Sequence, residues 1–467
     1  MRNLLTIINI LCLLQIDISA NAFDFNSAAG WRAGVAREVI TPEQPIWMAG
    51  YTSRKHPATG TMIDLWAKAL ALEDASGNRT VLITTDLEEI SKGMSDGIRD
   101  QLKLKYNLSK DQIILNCSHT HSSPIIKSIT CFYTYDSAQV ARVNQYSDDL
   151  ESKIISIVGI ALNSFEPVQL FSQNGVVRFQ VNRRNNIEYK LPLKTNFNGP
   201  NDYAVPVIKV ADKTGQIIAI VFGYACHNSV LSGYDWSGDY AGFAQLELER
   251  LYPNSTALFF QGAGGNQIAY PRKTIAAAQQ HGKSLAAAVE RVLNEEMKLL
   301  SPKLVCAYSE IELPISKSPN IEAFKKMADD SSLDEDVRRW AKALVDSFRV
   351  GKPLKTFYPY PVQVWRIGEQ VLFSLGGELV VEYALKLKKI FGQDVFVAGY
   401  CNDVMAYIPT AAILNEGGYE PVSSLTSCSG FLPAPWDVRI EPMIIEEVLR
   451  LAKKTGIPLY YPAALTN

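Results

Sequence analysis

RTVLITTDLEEISKGMSDGIRDQLKLKYNLSKDQIILNCSHTH, residues 79–121, sets two short β-branched runs on either side of a segment with helical spacing. Arg79–Thr85 reads as a strand, Met94–Tyr106 as an amphipathic helix, and Gln112–Ser118 as a second, buried strand. A strand, a helix and a buried strand at this spacing make a βαβ crossover, which requires two parallel strands. The same arrangement returns twice. Gln216–Phe222, Tyr240–Leu251 and Thr256–Phe260 make a second unit, and Gln370–Ser374, Leu379–Phe391 and Asp394–Val397 a third. The expected class is therefore α/β, with mixed, partly parallel sheets and flanking helices.

Composition is that of an ordinary globular chain: 47% hydrophobic and 20% charged residues over 467 positions, enough to bury a large core. The formal net charge of -2, with no clustered Lys/Arg stripe, excludes nucleic acid as an expected partner. Residues 1–22 pair a short basic start with an apolar stretch and small residues at Ala20 and Ala22, the pattern of a cleaved secretory signal. Secretion or a periplasmic location is the expectation, with a peripheral membrane contact left open and no oligomeric state implied. Six cysteines then remain (117, 131, 226, 306, 401 and 428) and none forms a CxxC motif, so they offer no metal site; Cys117 and Cys226 read as packed thiols. Residues 23–467 are read as one domain. Its charged helical insertion near residues 315–353 is expected to be a solvated excursion rather than a lid.

Ligand sites in open α/β sheets lie beyond the carboxyl ends of the strands. The chain has five histidines, and three of them fall at such ends: His119 and His121 after the second strand of the first unit, and His227 after the first strand of the second. Glu378 follows the first strand of the third unit; Asp86 also follows a strand, and Asp239 opens a helix where it could serve simply as a cap. Two histidines and one glutamate suit a catalytic zinc, which takes about three protein ligands and leaves a position for water. In His119-Thr-His121 alternate side chains of an extended segment face one way, either as two ligands or as a ligand and its neighbour. The glycine run of QGAGGNQ, residues 261–267, could present N–H groups to an anion or make a tight turn with positive φ. No GxSxG elbow is present, so a serine triad has no support.

Taken together, AGVAREVITPEQPIWMAGY, LWAKALALED, VLITTDLEEIS, NCSHTHSSP, VNRR, GYACHNSV, SGDYAGFAQ, QGAGGNQ, GGELVVEYA and YIPTAAILNEGGYEP, in this order, resemble the neutral/alkaline non-lysosomal ceramidases. The resemblance covers roughly residues 31–421. It implies the fold of the ceramidase N-terminal catalytic domain and one zinc ion held by His119, His227, Glu378 and Tyr407. It also implies that His121, Arg183 and Tyr419 line the pocket and contact the scissile group. The implied activity is that of a secreted zinc-dependent hydrolase in which metal-activated water attacks a carbonyl, foremost an N-acyl amide of a ceramide-like lipid. A carbohydrate-derived ester, lactone or glycoside is the alternative substrate, and a non-catalytic secreted binding protein the alternative from another class. Three features depart from the family pattern. Ser123 replaces a glycine after the histidine pair, and GGNQIAYP has Asn266 where the family has a serine used in amide cleavage. The chain stops at residue 467, so the expectation is a catalytic domain without the family's C-terminal β-sandwich domain.

Overall fold

The computed structural model describes residues 30–127, 137–194, 196–427 and 431–460. The expected signal segment, Cys131 and Cys428 lie outside the described residues. Within them, all three βαβ units form, and each closes on a parallel strand pair: Arg79–Thr85 with Ile113–Cys117, Ile217–Tyr224 with Thr256–Gln261, and Gln370–Leu375 with Phe396–Ala398. The connecting helices are Lys92–Tyr106, Asp239–Leu251 and Val381–Phe391. The class is α/β with mixed sheets, as the strand patterns imply.

The first two units sit at opposite edges of one nine-stranded sheet. Its main path runs Thr256–Gln261, Ile217–Tyr224, Ala204–Asp212, Glu166–Val176, Trp31–Val39, Trp66–Glu73, Arg79–Thr85 and Ile113–Cys117. Between the parallel edges every pairing is antiparallel. The third unit belongs to a four-stranded sheet, Leu304–Pro314, Phe357–Ile367, Gln370–Leu375 and Phe396–Ala398.

Strand alternation shows how the sheets stack. On Trp66–Glu73, Ala67, Ala69 and Ala71 face a core shared with Ile98, Leu102, Leu150 and Ile154 of the covering helices. Leu70 and Leu72 face the other way, into a layer with Trp365, Leu372 and Phe396 of the second sheet. The far face of that sheet, with Val362, Val364 and Phe373, packs on Ala384 and Leu387 and on Ile444 and Val448 of the Ile440–Lys454 helix. The result is four layers, helices, sheet, sheet, helices, with both sheets buried on both faces. Such strands carry apolar residues on both faces, as Ile113, Ile114 and Leu115 do here.

Residues 315–353 contain the helices Ile321–Asp329 and Glu335–Arg349. Their apolar faces are docked: Phe324, Trp340, Leu344 and Val345 join the first core, and Thr52 Oγ donates to Asp336 at 2.8 Å. The charges face outward. Cys117, Cys226 and Cys401 are buried and Cys306 partly buried, all as free thiols. Among the described residues no helix is long and apolar enough to cross a membrane.

One contact explains how distant units meet. The two edge strands of the large sheet approach each other where Asn116 Oδ1 accepts the Gln261 N–H at 2.8 Å. The same amide donates to Gly399 O at 2.8 Å, tying in the second sheet. Asn116 is wholly buried, so a lost partner here would leave an unsatisfied polar group. The curled sheet therefore brings the strand ends of all three units to one place.

Candidate metal centre

His119 follows the Ile113–Cys117 strand in a left-handed backbone conformation, φ 59°, a strained setting that non-glycine residues keep mainly at functional positions. The His119–His121 segment is clamped to the His227 segment. Thr120 bridges Asn228, His121 N donates to Asn228 O at 2.9 Å, and Asn228 Nδ2 donates to Ser118 O at 2.6 Å. Glu378 and Tyr407 arrive together, directly opposite each other in the short parallel pair Glu378–Leu379 and Tyr407–Ile408.

Five donor atoms converge. His119 Nε2 lies 3.1 Å from Glu378 Oε2, and His227 Nε2 lies 3.2 Å from that same oxygen. Tyr407 OH is 3.2 Å from His227 Nε2, and His121 Nε2 is 3.3 Å from His119 Nε2. Behind the centre, His119 Nδ1 meets Glu88 O and His227 Nδ1 meets Gly264 O, both at 2.8 Å. A carbonyl accepts only from N–H, so both imidazoles carry a proton on Nδ1 and, when neutral, aim an Nε2 lone pair at the centre. Two lone pairs and a carboxylate oxygen cannot face one another at this range unless a cation lies between them, a proton or a metal ion. Glu378 Oε2 is buried and makes no hydrogen bond of acceptable geometry, as a metal ligand would. Four-coordinate cations with bonds of ~2.0–2.1 Å hold neighbouring donors ~3.3 Å apart. The three spacings among His119, His227, Glu378 and Tyr407 agree with that, and His121 stands at a similar distance from His119. His119, His121 and His227 alone already form a group able to hold a metal ion.

The electrostatics fit the same picture. Burial works against the charge on Glu378, but His119 and His227 outweigh it and hold the carboxyl well below its usual range. Burial lowers His119 too, yet the Glu378 carboxylate leaves it above its ordinary value. His227 is pushed down to about 4 by burial and by Arg183. His121 lies well below its ordinary value, through burial and the two neighbouring imidazoles, so it is neutral. Of the three imidazoles, His119 is thus the one whose protonated form the surroundings favour.

Arg183 and Tyr419 frame the mouth. The Arg183 guanidinium lies 5.4 Å from the Tyr407 ring centroid and 5.0 Å from that of Tyr419. It donates to Glu420 at 2.9 Å and to Gly265 O at 2.8 Å. Glu420 also accepts from Arg184 at 2.7 Å, so one buried carboxylate fixes both arginines and, through its neighbour, Tyr419. A guanidinium so held can stabilise an oxyanion.

All seven residues singled out from the sequence, His119, His121, Arg183, His227, Glu378, Tyr407 and Tyr419, are gathered around this centre. Asp86 and Asp239 are not. Asp86 accepts from Trp66 N and Gln245, and Asp239 from the N–H groups of Leu231 and Tyr240. Both serve the backbone, and burial pushes Asp239 up to about 6. In the glycine run the N–H groups of Gly262, Gly264 and Gly265 all go to backbone carbonyls, and none of the three glycines adopts positive φ. Its Gly264 and Gly265 carbonyls orient His227 and Arg183, while Gly265 N donates to Leu379 O. Asn266 stands where the family serine is expected and is structural: it donates to Glu382 and accepts from Val381 N.

Three participants escaped the sequence reading. Glu420 was discoverable, because adjacent Arg183 and Arg184 need a buried counter-charge. Tyr51, whose ring meets His121 edge-on at 4.9 Å, and Glu88, whose carboxyl burial pushes up to about 7, carry no local signal.

The neutral/alkaline non-lysosomal ceramidase N-terminal family model matches residues 31–327. The neutral ceramidase of Pseudomonas aeruginosa is 24% identical over 268 residues, 52% of this chain and 39% of that protein. That of Drosophila melanogaster is 22% identical over 236 residues, 49% of this chain and 33% of that protein. The match thus spans less than half the length of these relatives. The crystal structure of the Pseudomonas aeruginosa neutral ceramidase superposes with a TM-score of 0.71 over 92% of this chain and 75% of that one, at 18% identity. With a family match across well over half its length, the chain belongs to the neutral/alkaline non-lysosomal ceramidases.

Proposed function

We propose that this protein is a secreted zinc-dependent hydrolase that cleaves an N-acyl amide bond, with a ceramide-like lipid as the leading substrate. The observation that carries this reading is the Glu378 carboxylate oxygen set 3.1 and 3.2 Å from two imidazole nitrogens whose partner nitrogens are anchored on backbone carbonyls. His119, His227, Glu378 and Tyr407 would hold the ion. Nitrogen and oxygen donors in a four-coordinate site suit zinc, which when bound supplies an acidified water and polarises a carbonyl.

The chain's own residues divide the remaining work. His121 is neutral, faces the centre through Nε2 and has no partner for its buried Nδ1, so it is free to take a proton and return it to the leaving amine. Arg183, locked by Glu420 and Gly265 O, would meet negative charge developing on the carbonyl oxygen. Tyr419, half exposed at the mouth, would contact the substrate as it binds. Asn266 has a carboxamide and no hydroxyl, so no step passes through a side-chain nucleophile at that position.

Purified protein should contain about one zinc per chain and release fatty acid from ceramide or a simpler N-acyl amide. Activity should vanish with a chelator and return with zinc. A fully zinc-loaded protein that cleaves no N-acyl amide would overturn the reading. The pH dependence of zinc binding gives a second expected result. His227 is neutral above about pH 5, but His119 holds its proton to a higher pH than usual. Zinc must displace that proton. Affinity should therefore fall about tenfold per pH unit below the raised His119 pKa, as read by competition with a chromophoric chelator.

A further inference from the structure

Beside the metal centre lies a cavity of ≈ 630 Å³ whose aliphatic lining is confined to Ile187 and Ile268, against three arginines, Arg183, Arg184 and Arg272. A site built only for two alkyl chains would be apolar here. The three cations are not equivalent. Arg183 and Arg184 share the buried Glu420, and Arg184 also meets Glu416 at 2.8 Å. Both are thus paired with carboxylates.

Arg272 is held differently. Its Nη2 donates to Ser229 O at 2.7 Å and to Tyr51 OH at 3.3 Å, both neutral acceptors. Among the described residues, no carboxylate meets it closer than Glu188, 3.7 Å from Nη1, and Glu188 is itself taken by Lys273 at 3.1 Å. Asp239 lies within electrostatic range, but its oxygens are occupied by backbone N–H groups. The side chain is only 14% exposed, so solvent screens it weakly. Tyr51 links this guanidinium to the centre: its hydroxyl touches Arg272 and its ring touches His121. The result is a rigid, poorly compensated cation on the cavity wall, one side chain away from His121.

We propose that Arg272 forms an anion-binding subsite, and that the preferred substrate is an acyl amide bearing a carboxylate close to the scissile bond, as in an N-acyl amino acid. This rests on the hydrolase reading for the bond cleaved, but not for the binding preference. A guanidinium fixed by neutral acceptors loses little freedom on meeting a carboxylate, and a charge-assisted hydrogen bond in a half-enclosed cavity is stronger than a neutral one.

The test is calorimetric binding of N-lauroylglycine and N-lauroylglycinamide to the full chain, with and without chelator. The carboxylate should bind about tenfold more tightly, and should do so without metal as well. In Arg272→Gln that preference should collapse while the glycinamide binds as before; Arg272→Lys should keep part of it. Equal binding of the two ligands, or no binding of either, overturns the subsite. So does an equal loss for both in Arg272→Gln, which would make Arg272 a clasp for Ser229 and Tyr51. Hydrolysis, followed separately, keeps the two claims apart. A carboxylate preference without turnover sinks the hydrolase and leaves the subsite; turnover without preference does the reverse.

Discussion

His119→Ala is expected to strip the purified protein of most of its metal, whereas His121→Ala keeps its metal and loses about 10²- to 10⁴-fold in kcat. The two side chains sit two residues apart and present Nε2 to the same centre, so the contrast must come from what stands behind each ring. His119 is anchored through Nδ1 on Glu88 O and lies against Glu378 Oε2. Its tautomer and aim are fixed, as a ligand requires. His121 Nδ1 is buried and unpartnered, and its ring is packed against Gly50, where a Cβ would sit 2.5 Å from the imidazole. The ring is held in place without its protonation being held. If binding of a zinc ion is worth roughly 12 kcal/mol over four ligands, losing one costs about 3 kcal/mol, or two orders of magnitude in affinity. Metal content by mass spectrometry and single-turnover kinetics on both variants decide the matter. Loss of metal in both would make His121 a fifth ligand and remove it from proton transfer.

The parts of the fold that could be read from the chain are those where local pattern and final packing agree. Each parallel pair is a β-branched run, an amphipathic helix and a second run, and the strand and helix bounds fall within a residue or two of those expected. The antiparallel middle of the large sheet was not legible, because its order depends on which edges meet. That is decided by contacts such as Asn116 with Gln261, across 145 residues. At the site, side chains at strand ends could be seen, since chemistry and position coincide at His119, His227 and Glu378. Tyr407 came only through family resemblance; it lies in a two-residue strand whose partner is Glu378, a pairing without local sign. The anchors of the histidines are backbone carbonyls, which every residue carries, so no reading of side chains could have found them. The glycine run misled for the same reason: what matters there is which backbone atoms approach, not which side chains are missing.

Gly265→Ala carries that last point into an experiment, and should damage the centre without touching any ligand. A Cβ at this position would stand 2.6 Å from Glu378 O and 2.9 Å from Leu379 O. Both are backbone atoms of the strand that delivers Glu378, so no side-chain rotation relieves the clash. Gly265 N already donates to Leu379 O at 2.8 Å, and Gly265 O accepts from Arg183. The glycine is thus wedged between the strand that carries Glu378 and the Arg183 guanidinium. Overpacking of this kind costs about 1–3 kcal/mol when neighbours can yield, and backbone on both sides puts the expected loss at the upper end. If the strand yields instead, Glu378 moves by a sizeable fraction of an ångström, which is enough to cost roughly 10²-fold in turnover. Thermal unfolding with zinc and with chelator separates the outcomes. Fold damage lowers the midpoint in both, while a displaced Glu378 shrinks mainly the zinc-dependent part. Gly93→Ala is the matched control, in a helix with nothing within 4 Å of the new methyl group, and should be stabilising by up to about 1 kcal/mol. Equal behaviour of the two variants would mean that the glycine run does not support the metal centre.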